Sequence, residues 1–487
     1  MEDYDVVIRG GTVVTGSVTV RADVGIRGEQ VAAIAIDLPP GTSEIDAGGK
    51  LVMPGGVDAH AHIEQFSSNG IATCDDWESA TRSAVFGGTT TVIAFAAQHR
   101  GMNLAQVVED YSAQARKGAI IDHAFHMIVA DPTDATLKEH LPALIKGGLS
   151  SIKVFMTYDL VRLHDEQLLD VMAVARENAA LVCVHAENHG MLTWMGRRLL
   201  ARGHVAPRYH AASHPRLAET DAIARVIAMA ELLDQPVVIF HVSTAEGAAL
   251  VREARGRDVK VFAETCPQYL FLTRDDLDRP GLEGAKWMCS PPVRGSADQE
   301  ALWRALGLGD LQMVSSDHAP YAYDQTGKLR SGPKATFKEI ANGLPGIEAR
   351  LPLMFDAMVS NGRLGPEKFV EITAGAPARI YNLHPRKGCI AVGSDADVVV
   401  WDPDRRVTIE DTTMHDRTGF SPFVGRAVKG WPEVVLRRGE VIVRDGTLMA
   451  KPGSGRFLPR PGGASARPSG RIAEEMDPHR NFGASLL

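Results

Sequence analysis

The segment "LVMPGGVDAHAHIEQ", residues 51–65, joins an apolar run, a Pro-Gly-Gly turn and polar residues at alternate positions. Asp58, His60 and His62 follow one another at every second residue. Alternate side chains of an extended strand point to the same face, so His60 and His62 are expected about 6–7 Å apart along the backbone. Two imidazoles at that separation can bind one metal ion, or they can be polar residues on a solvated strand. The rest of the sequence has to distinguish these alternatives.

Seven further short apolar segments follow, each typical of a buried strand. They are residues 89–96, 123–129, 150–155, 181–185, 236–241, 259–264 and 311–318. Stretches with helical spacing, such as residues 219–233, separate most of them. Eight strands alternating with helices predict an α/β fold, a (β/α)₈ barrel of the TIM type, with its site at the carboxyl ends of the strands.

Both ends of the chain show a different pattern of short strands and turns. Neither end is long enough to bury much surface by itself, so we predict one small β-sandwich domain assembled from both. The segment from about residue 456 onward is rich in Pro, Gly and Arg and is interpreted as a tail rather than core. The predicted parts are 1–53 and 384–456 for the two pieces of the β-sandwich domain, 54–383 for the barrel, and 457–487 for a tail or oligomerisation arm.

The composition indicates a globular protein that binds neither nucleic acid nor membrane. The 487 residues include 45% hydrophobic and 23% charged residues, and the net charge is −8. No apolar run reaches the length that a bilayer requires, and the N-terminus lacks the features of a secretory signal. Five scattered cysteines without CxxC spacing argue against a disulfide scaffold or a thiolate zinc site. We therefore expect a cytoplasmic enzyme.

Five of the eight predicted strands end in a residue that can bind or influence a metal. These residues are His60 and His62, Lys153, His185, His241, and Asp317. Because the strands of a barrel end at one rim, the sequence predicts a metal centre there, with nitrogen and oxygen ligands that suit zinc, manganese or iron. Lys153 does not fit as a plain ammonium, which divalent cations would repel. It either faces away from the site or is chemically altered.

Many segments of the chain, in order, resemble the cyclic amidohydrolases of the D-hydantoinase/dihydropyrimidinase group. They are "PGGVDAHAH" (54–62), "SIKVFMTY" (151–158), "VHAENHG" (184–190), "VIFHVST" (238–244), "ETCPQYL" (264–270), "CSPPVR" (289–294), "SSDHAPY" (315–321), "NGLPGIE" (342–348) and "GSDADVVVWDP" (393–403). The resemblance implies a distorted barrel with two divalent ions, zinc being expected and manganese or another ion the alternative.

The resemblance also implies the ligand set and the reaction. Lys153 would be N-carboxylated (N6-carboxylysine) and would bridge the two ions as a carbamate. His60 and His62 would hold one ion with Asp317, and His185 and His241 would hold the other. A metal-bridging hydroxide would then open the C–N bond of a hydantoin or dihydropyrimidine, giving an N-carbamoyl amino acid.

Four residues outside the metal-ligand histidines take roles by the same resemblance. Tyr158 would stabilise the oxyanion, and Asp317 would move the proton from the nucleophile to the leaving ring nitrogen. Backbone groups around Ser290 and Asn342 would bind the amide or imide edge of the ring. For Tyr158, Ser290 and Asn342 the alternative is a purely structural loop position.

The loops after the first and fourth strands are expected to form an apolar wall for the ring substituent. In the loop 66–74 this wall would include Phe66 and Ile71, and after the fourth strand it would include Phe155 and Leu160. We therefore expect rings with apolar substituents to be accepted.

Other positions leave alternatives open. Asp58 either orients a ligand histidine or is a buried polar residue satisfied elsewhere. Five further histidines are interpreted as surface or loop residues, namely His189, His204, His210, His214 and His318.

Several other functions are weighed against ring opening of hydantoins. An imidase or an allantoinase-like enzyme would use the same chemistry on another small cyclic amide. A non-catalytic scaffold is disfavoured because every expected ligand is present, and a deaminase because it has no need of Lys153. The resemblance further implies a homotetramer, with a dimer as the alternative.

Overall fold

The computed structural model describes residues 4–66 and 70–486. Its strands are β1 (Tyr4–Val14), β2 (Thr19–Arg27), β3 (Gln30–Ala35), β4 (Gly41–Asp46), β5 (Leu51–Pro54), β6 (Gly56–Ala61), β7 (Thr89–Ala97), β8 (Asp122–Ile128), β9 (Ser151–Phe155), β10 (Leu181–His185), β11 (Val237–Ile239), β12 (Val261–Thr265), β13 (Met313–Val314), β14 (Val398–Thr408), β15 (Ala427–Arg437), β16 (Glu440–Arg444) and β17 (Thr447–Leu448).

Most of the helices alternate with β6–β13. They are α1 (Trp77–Phe86), α2 (Leu104–Gly118), α3 (Leu141–Lys146), α4 (Asp165–Glu177), α5 (His189–Ala201), α6 (Tyr209–Ser213), α7 (Arg216–Leu233), α8 (Ala245–Gly256), α9 (Pro267–Phe271), α10 (Ser296–Leu308), α11 (Arg350–Phe355), α12 (Pro366–Val370) and α13 (Ala376–Ile380). Short π-helical segments lie at Thr136–His140, Asp356–Ser360 and Glu371–Gly375, and 3₁₀ turns at Arg274–Leu277, Glu283–Trp287, Ala464–Ala466 and Glu474–Met476. None of these helices is both long enough and apolar enough to cross a bilayer, as far as the described residues go.

Strands β6 to β13 form one parallel sheet in chain order, which confirms the predicted barrel. Their residues are almost all buried, as expected where helices cover one face of a closed sheet and packed side chains fill the other. β11 and β13 are shorter than the predicted runs. The backbone turns out of these strands near His241 and Asp317, whose φ angles of 42° and 49° are left-handed.

The barrel is distorted where its last strand meets its first. β13 and β6 form no continuous ladder within the described residues, and a single parallel bridge joins Ala61 to His318. Asp58 supplies a further link across this seam, because its Oδ1 accepts a hydrogen bond from the backbone N–H of Ser316 at 3.0 Å. Asp58 therefore contacts backbone N–H groups and the Arg350 guanidinium, and no hydrogen bond joins it to a ligand imidazole within the described residues.

The second sheet is built from both ends of the chain, as predicted. It runs in the order β17-β16-β15-β14-β5-β1-β2-β3, and β4 also pairs with β1. Most pairs are antiparallel, but β1 is parallel to β4 and β5. Its own apolar core includes Val24, Val52 and Val400. The exact domain limits given above stay a prediction.

The start of the segment after residue 456 packs into the core, contrary to the expectation from its composition, whereas most of residues 461–486 are exposed or half-buried. Leu458 and Arg460 are fully buried against the barrel. The Arg460 guanidinium donates to the carbonyl of Phe125 at 2.5 Å and to the hydroxyl of Ser151 at 2.9 Å. A basic residue was not expected inside the barrel, but these oxygens satisfy part of its hydrogen-bonding capacity.

Candidate active site

The predicted strand-end residues meet in one cavity of about 480 Å³. All six predicted metal-type residues line it, namely His60, His62, Lys153, His185, His241 and Asp317. A volume of this size suits a small molecule. The barrel topology explains the convergence, because parallel strands deliver their carboxyl ends to the same rim.

One half of the centre lies where β6 ends and the chain leaves β13. Nε2 of His60 lies 3.0 Å from Asp317 Oδ1, and Nε2 of His62 lies 3.5 Å from the same oxygen. The ligand atoms of the three residues lie within 4.8 Å of one another. Burial by itself would raise the pKa of Asp317, but the adjacent His60 and His62 hold that pKa well below its usual range. An ionised carboxylate between two imidazoles is a ligand set that a divalent cation accepts.

The other half of the centre consists of His185 and His241 with Lys153 nearby. The ring centroids of His185 and His241 lie 4.5 Å apart, and His241 lies 5.4 Å from His60. Lys153 is fully buried, with Nζ 4.1 Å from the ring centroid of Phe240 and 4.8 Å from that of Phe155. Lys153 therefore faces the cavity, which removes the alternative that it points away.

Hydrogen-bond acceptors fix the orientation of three of the histidines. Nδ1 of His60 bonds to the carboxylate of Glu264, and Nδ1 of His62 lies 3.0 Å from the amide oxygen of Gln65. These bonds leave Nε2 of both rings directed at Asp317.

His185 is held the other way round. Its Nε2 donates to Glu187 at 2.8 Å, which leaves Nδ1 free. Glu187 also accepts a hydrogen bond from His214 Nδ1 at 2.9 Å, so each oxygen of this carboxylate is bonded to a histidine. Hydrogen bonds of this kind commonly orient metal-binding imidazoles.

The residues fit a pair of divalent cations. The Nζ of Lys153 and the Nδ1 of His241 are buried, and neither has a hydrogen-bond partner among residues 4–66 and 70–486. Such atoms are costly to leave unsatisfied, so they suit a ligand that completes them. Burial lowers the pKa of Lys153 to about 8, so a larger fraction of this side chain is neutral amine near neutral pH than in an ordinary lysine.

Tyr158 stands at the edge of this centre. Its ring centroid lies 5.2 Å from that of His185, and its φ of 73° is left-handed, which is costly for a non-glycine residue. Burial raises the pKa of Tyr158 well above its usual value, so the phenol stays protonated and can donate. His241 and Asp317 share this unusual backbone conformation, and strained residues of this kind cluster at functional sites.

Ser290 and Asn342 line the same cavity from two neighbouring loops. A backbone hydrogen bond of 2.9 Å from Gly343 N–H to the Met288 carbonyl joins the two loops. Oδ1 of Asn342 is buried and has no hydrogen-bond partner within the described part of the chain. The two residues thus lie where they can contact a bound molecule together.

The predicted apolar wall is present only in part. Phe155 and Leu160 line the cavity, whereas Phe66 does not and is 59% exposed. Ile71 is buried behind the wall, against Ala319 and other apolar residues. Phe66 forms an isolated antiparallel bridge with Ala72. Residues 67–69 of this loop lie outside the described residues.

The prediction that the other histidines lie on the surface or in loops was wrong for His210, which lies in α6, whereas His214 and His318 do lie in loops but not on the surface. His210, His214 and His318 are almost fully buried. His210 Nε2 donates to the Cys289 carbonyl at 2.7 Å, and His318 Nε2 donates to Asp75 at 3.1 Å. These partners lie far away in the sequence, so spacing alone could not reveal them. For Glu187 the only signal was its position two residues after His185.

Comparison with known proteins agrees with this geometry. A model described as "Amidohydrolase family" matches residues 51–442. The chain is 41% identical to a D-hydantoinase of Ralstonia pickettii over 437 residues, covering 90% of this chain and 94% of that one. It is 42% identical to a D-hydantoinase of Streptomyces coelicolor over 441 residues, covering 89% and 93%. The crystal structure of dihydropyrimidinase from Brevibacillus agri superposes with a TM-score of 0.91 at 40% identity, covering 94% and 99%.

Proposed function

The chain belongs to the amidohydrolase family and is a cyclic amidohydrolase of the hydantoinase and dihydropyrimidinase type, and from this premise we propose that it opens such rings at a two-metal centre. Water adds across a ring C–N bond: the carbonyl carbon gains the oxygen, and the ring nitrogen gains a proton. A hydantoin or dihydropyrimidine ring would yield an N-carbamoyl amino acid. The observation that carries the proposal is Lys153, buried among the histidines without a hydrogen-bond partner in the described residues.

The ligand set is divided between two ions. His60, His62 and Asp317 would hold one, and His185 and His241 the other. Lys153 would react with carbon dioxide through its neutral amine, lose a proton and bridge both ions as N6-carboxylysine. Two bound divalent cations, zinc being expected, would act as Lewis acids that lower the pKa of water and polarise the ring carbonyl.

The surrounding residues would bind the ring and handle the proton. Asp317 is ionised and can accept a proton from the attacking water and pass it to the leaving nitrogen. The protonated Tyr158 hydroxyl would donate to the developing oxyanion. Ser290 and Asn342 would hold the amide or imide edge, while Phe155 would contact the ring substituent.

Replacement of the lysine tests the two-metal proposal. We expect purified wild-type protein to contain two divalent ions per chain by elemental analysis and to open a hydantoin ring. Lys153→Ala should lose both the metal complement and the activity, because the bridge is gone. Lys334→Ala, which changes an exposed lysine, is the matched control. Full metal content and activity in the Lys153→Ala protein would contradict the proposal.

A comparison of hydrolysis rates across several cyclic amides narrows the class of substrate. We expect hydantoins and dihydrouracil with apolar or no substituents to be opened faster than succinimide-type imides or allantoin, because Phe155 and Leu160 offer an apolar wall. Faster hydrolysis of an imide or of allantoin would assign the chain to the imidase or allantoinase alternative.

Assembly and location are proposed from the resemblance. A homotetramer is expected, with a dimer as the alternative, and light scattering of the purified protein distinguishes the two. A cytoplasmic location is supported by the five cysteines, all of which are free thiols.

A further inference from the structure

Lys328 is a buried lysine with no role in the centre described above. Its side chain is 1% exposed, yet no carboxylate forms an ion pair with it anywhere in residues 4–66 and 70–486. Its Nζ instead donates to the carbonyl of Ala341 at 2.8 Å and reaches the carbonyl of Met288 at 3.5 Å. A lysine is seldom buried without a charged partner, because desolvation of the ammonium is costly.

The two carbonyls belong to the loops that carry Ser290 and Asn342. Ala341 immediately precedes Asn342, and Met288 lies two residues before Ser290. Met288 O also accepts the hydrogen bond from Gly343 N–H, so Nζ of Lys328 lies at the point where the loops meet.

The segment that carries Lys328 is folded so as to direct it inward. Asp324 caps a tight turn, accepting from Thr326 N–H at 2.7 Å, and Lys328 N–H donates to the Ala322 carbonyl at 2.8 Å. A side chain at Gly327 would lie 2.2 Å from that same carbonyl, so the turn packs too closely for any residue but glycine. Lys328 is therefore placed by the local fold and not by a charged partner.

Burial lowers the pKa of Lys328 to about 7, and the nearby Cys289 thiol opposes this only in part. The side chain donates hydrogen bonds in either protonation state. An apolar residue of the same length would avoid the cost of burial, so the lysine must contribute something that such a residue cannot.

We propose that Lys328 is a positioning residue for substrate binding, which fixes the loops of Ser290 and Asn342 by donating to the carbonyls of Met288 and Ala341. The inference rests on the proposed function, because the ring edge is what these loops would bind. Lys328 touches neither the ring nor the metal ligands, so its loss should weaken ring binding and leave the metal centre intact.

Lys328→Met tests this with hydantoin and dihydrouracil as probes. The variant keeps the length of the side chain but removes the donor, and we expect KM to rise about tenfold or more as the loops lose their fixed spacing. The kcat and the number of metal ions per chain should stay close to wild type. Hydrogen exchange should show a less protected Gly343 amide, which does not depend on activity. Lys334→Met, an exposed lysine of the same segment, is the matched control and should change none of these quantities.

The outcomes separate this inference from the proposed function. A wild-type protein that opens none of the rings overturns both. An active wild type with unchanged KM in Lys328→Met, or with KM changed only together with metal loss, overturns this inference alone. Lys328→Leu, which also lacks a donor and for which the same rise in KM is expected, replaces the Met variant if the latter does not fold. If neither variant folds, Lys328 belongs to the stability of the fold, and the proposal fails.

Discussion

At the scale of single residues, the candidate centre depends on which nitrogen of each histidine is occupied. His60 and His62 use Nδ1 for protein acceptors, whereas His185 uses Nε2. An imidazole that donates through one nitrogen presents a lone pair at the other, so each acceptor determines which atom faces the centre. Glu187 also accepts a hydrogen bond from His214 through its second carboxylate oxygen. Rotation of the Glu187 carboxylate is thereby restricted, and with it the orientation of His185.

Glu187→Gln tests this control of orientation. The carboxamide has only one acceptor oxygen, so it cannot accept hydrogen bonds from both His185 and His214 through two oxygens as the carboxylate does. The His185 ring is therefore less well oriented. We expect zinc affinity, measured by competition with a chelator, to fall about 10–100-fold. Glu177→Gln, at an exposed position in α4, should leave zinc affinity unchanged. Equal affinity in the two variants would show that Glu187 does not orient His185.

At the scale of elements, the strands and their terminal residues were predictable because the signal is local. A buried parallel strand is a continuous apolar run, and the residue that ends it marks the rim. His60, His185 and Asp317 were found in this way. Glu264 ends the predicted strand 259–264, but its contact with His60 could not be predicted from that position. His214 was missed as well, because its partner Glu187 is distant in the sequence and leaves no periodic pattern. The prediction that Phe66 lines the cavity failed for the same reason, since the direction of a loop depends on tertiary contacts.

The seam between β13 and β6 has no continuous ladder within the described residues, and Arg350 spans it. The guanidinium lies 3.6 Å from Asp58 of β6 and donates to the Val314 carbonyl of β13 at 3.0 Å and to Thr89 of β7 at 3.0 Å. Arg350 is fully buried. One side chain thus replaces part of the hydrogen bonding that a regular strand pair would supply.

Removal of this cation should destabilise the whole barrel. Arg350→Met leaves Asp58 as a buried charge without its partner, and we expect a loss of about 3–5 kcal/mol in the free energy of unfolding. Lys138→Met removes an exposed lysine that is paired with Asp134, and should leave the free energy of unfolding almost unchanged. Denaturant unfolding of both variants measures the difference. A loss in Arg350→Met as small as in the control would mean that Arg350 does not hold the seam.

At the scale of the whole molecule, a buried ionic cluster connects the barrel to the sheet formed by the chain ends. Lys387 contacts Asp122 of β8 at 2.7 Å, Asp397 at 2.8 Å and Asp395 at 3.1 Å. Asp122 also pairs with Arg438, the residue that follows β15. The three carboxylates lie close enough to hold a metal ion, but the ammonium of Lys387 already lies among them. The cluster therefore acts as a joint, and we expect no third metal there.

This joint makes a specific contribution to acid stability. Burial would raise the pKa of Asp122, but Lys387 and Arg438 together hold that pKa near 2, below its ordinary value of 3.8. The native state therefore binds the proton less tightly than the unfolded chain does. The resulting stabilisation is present above about pH 4 and is lost as the pH falls towards 2.

Asp122→Asn removes this pH-dependent stabilisation, and it also leaves Arg438 without a buried counter-charge. We expect the variant to lose about 2–3 kcal/mol in the free energy of unfolding at pH 6. The difference in the free energy of unfolding between the variant and the wild type should shrink as the pH is lowered from 5 to 3.

Metal-free protein is used for all of these measurements, so that acid release of metal does not contribute. Asp404→Asn, in an exposed pair with Lys429, is the control. A constant difference across this pH range would show that the Asp122 carboxylate does not supply the acid-sensitive part of the joint.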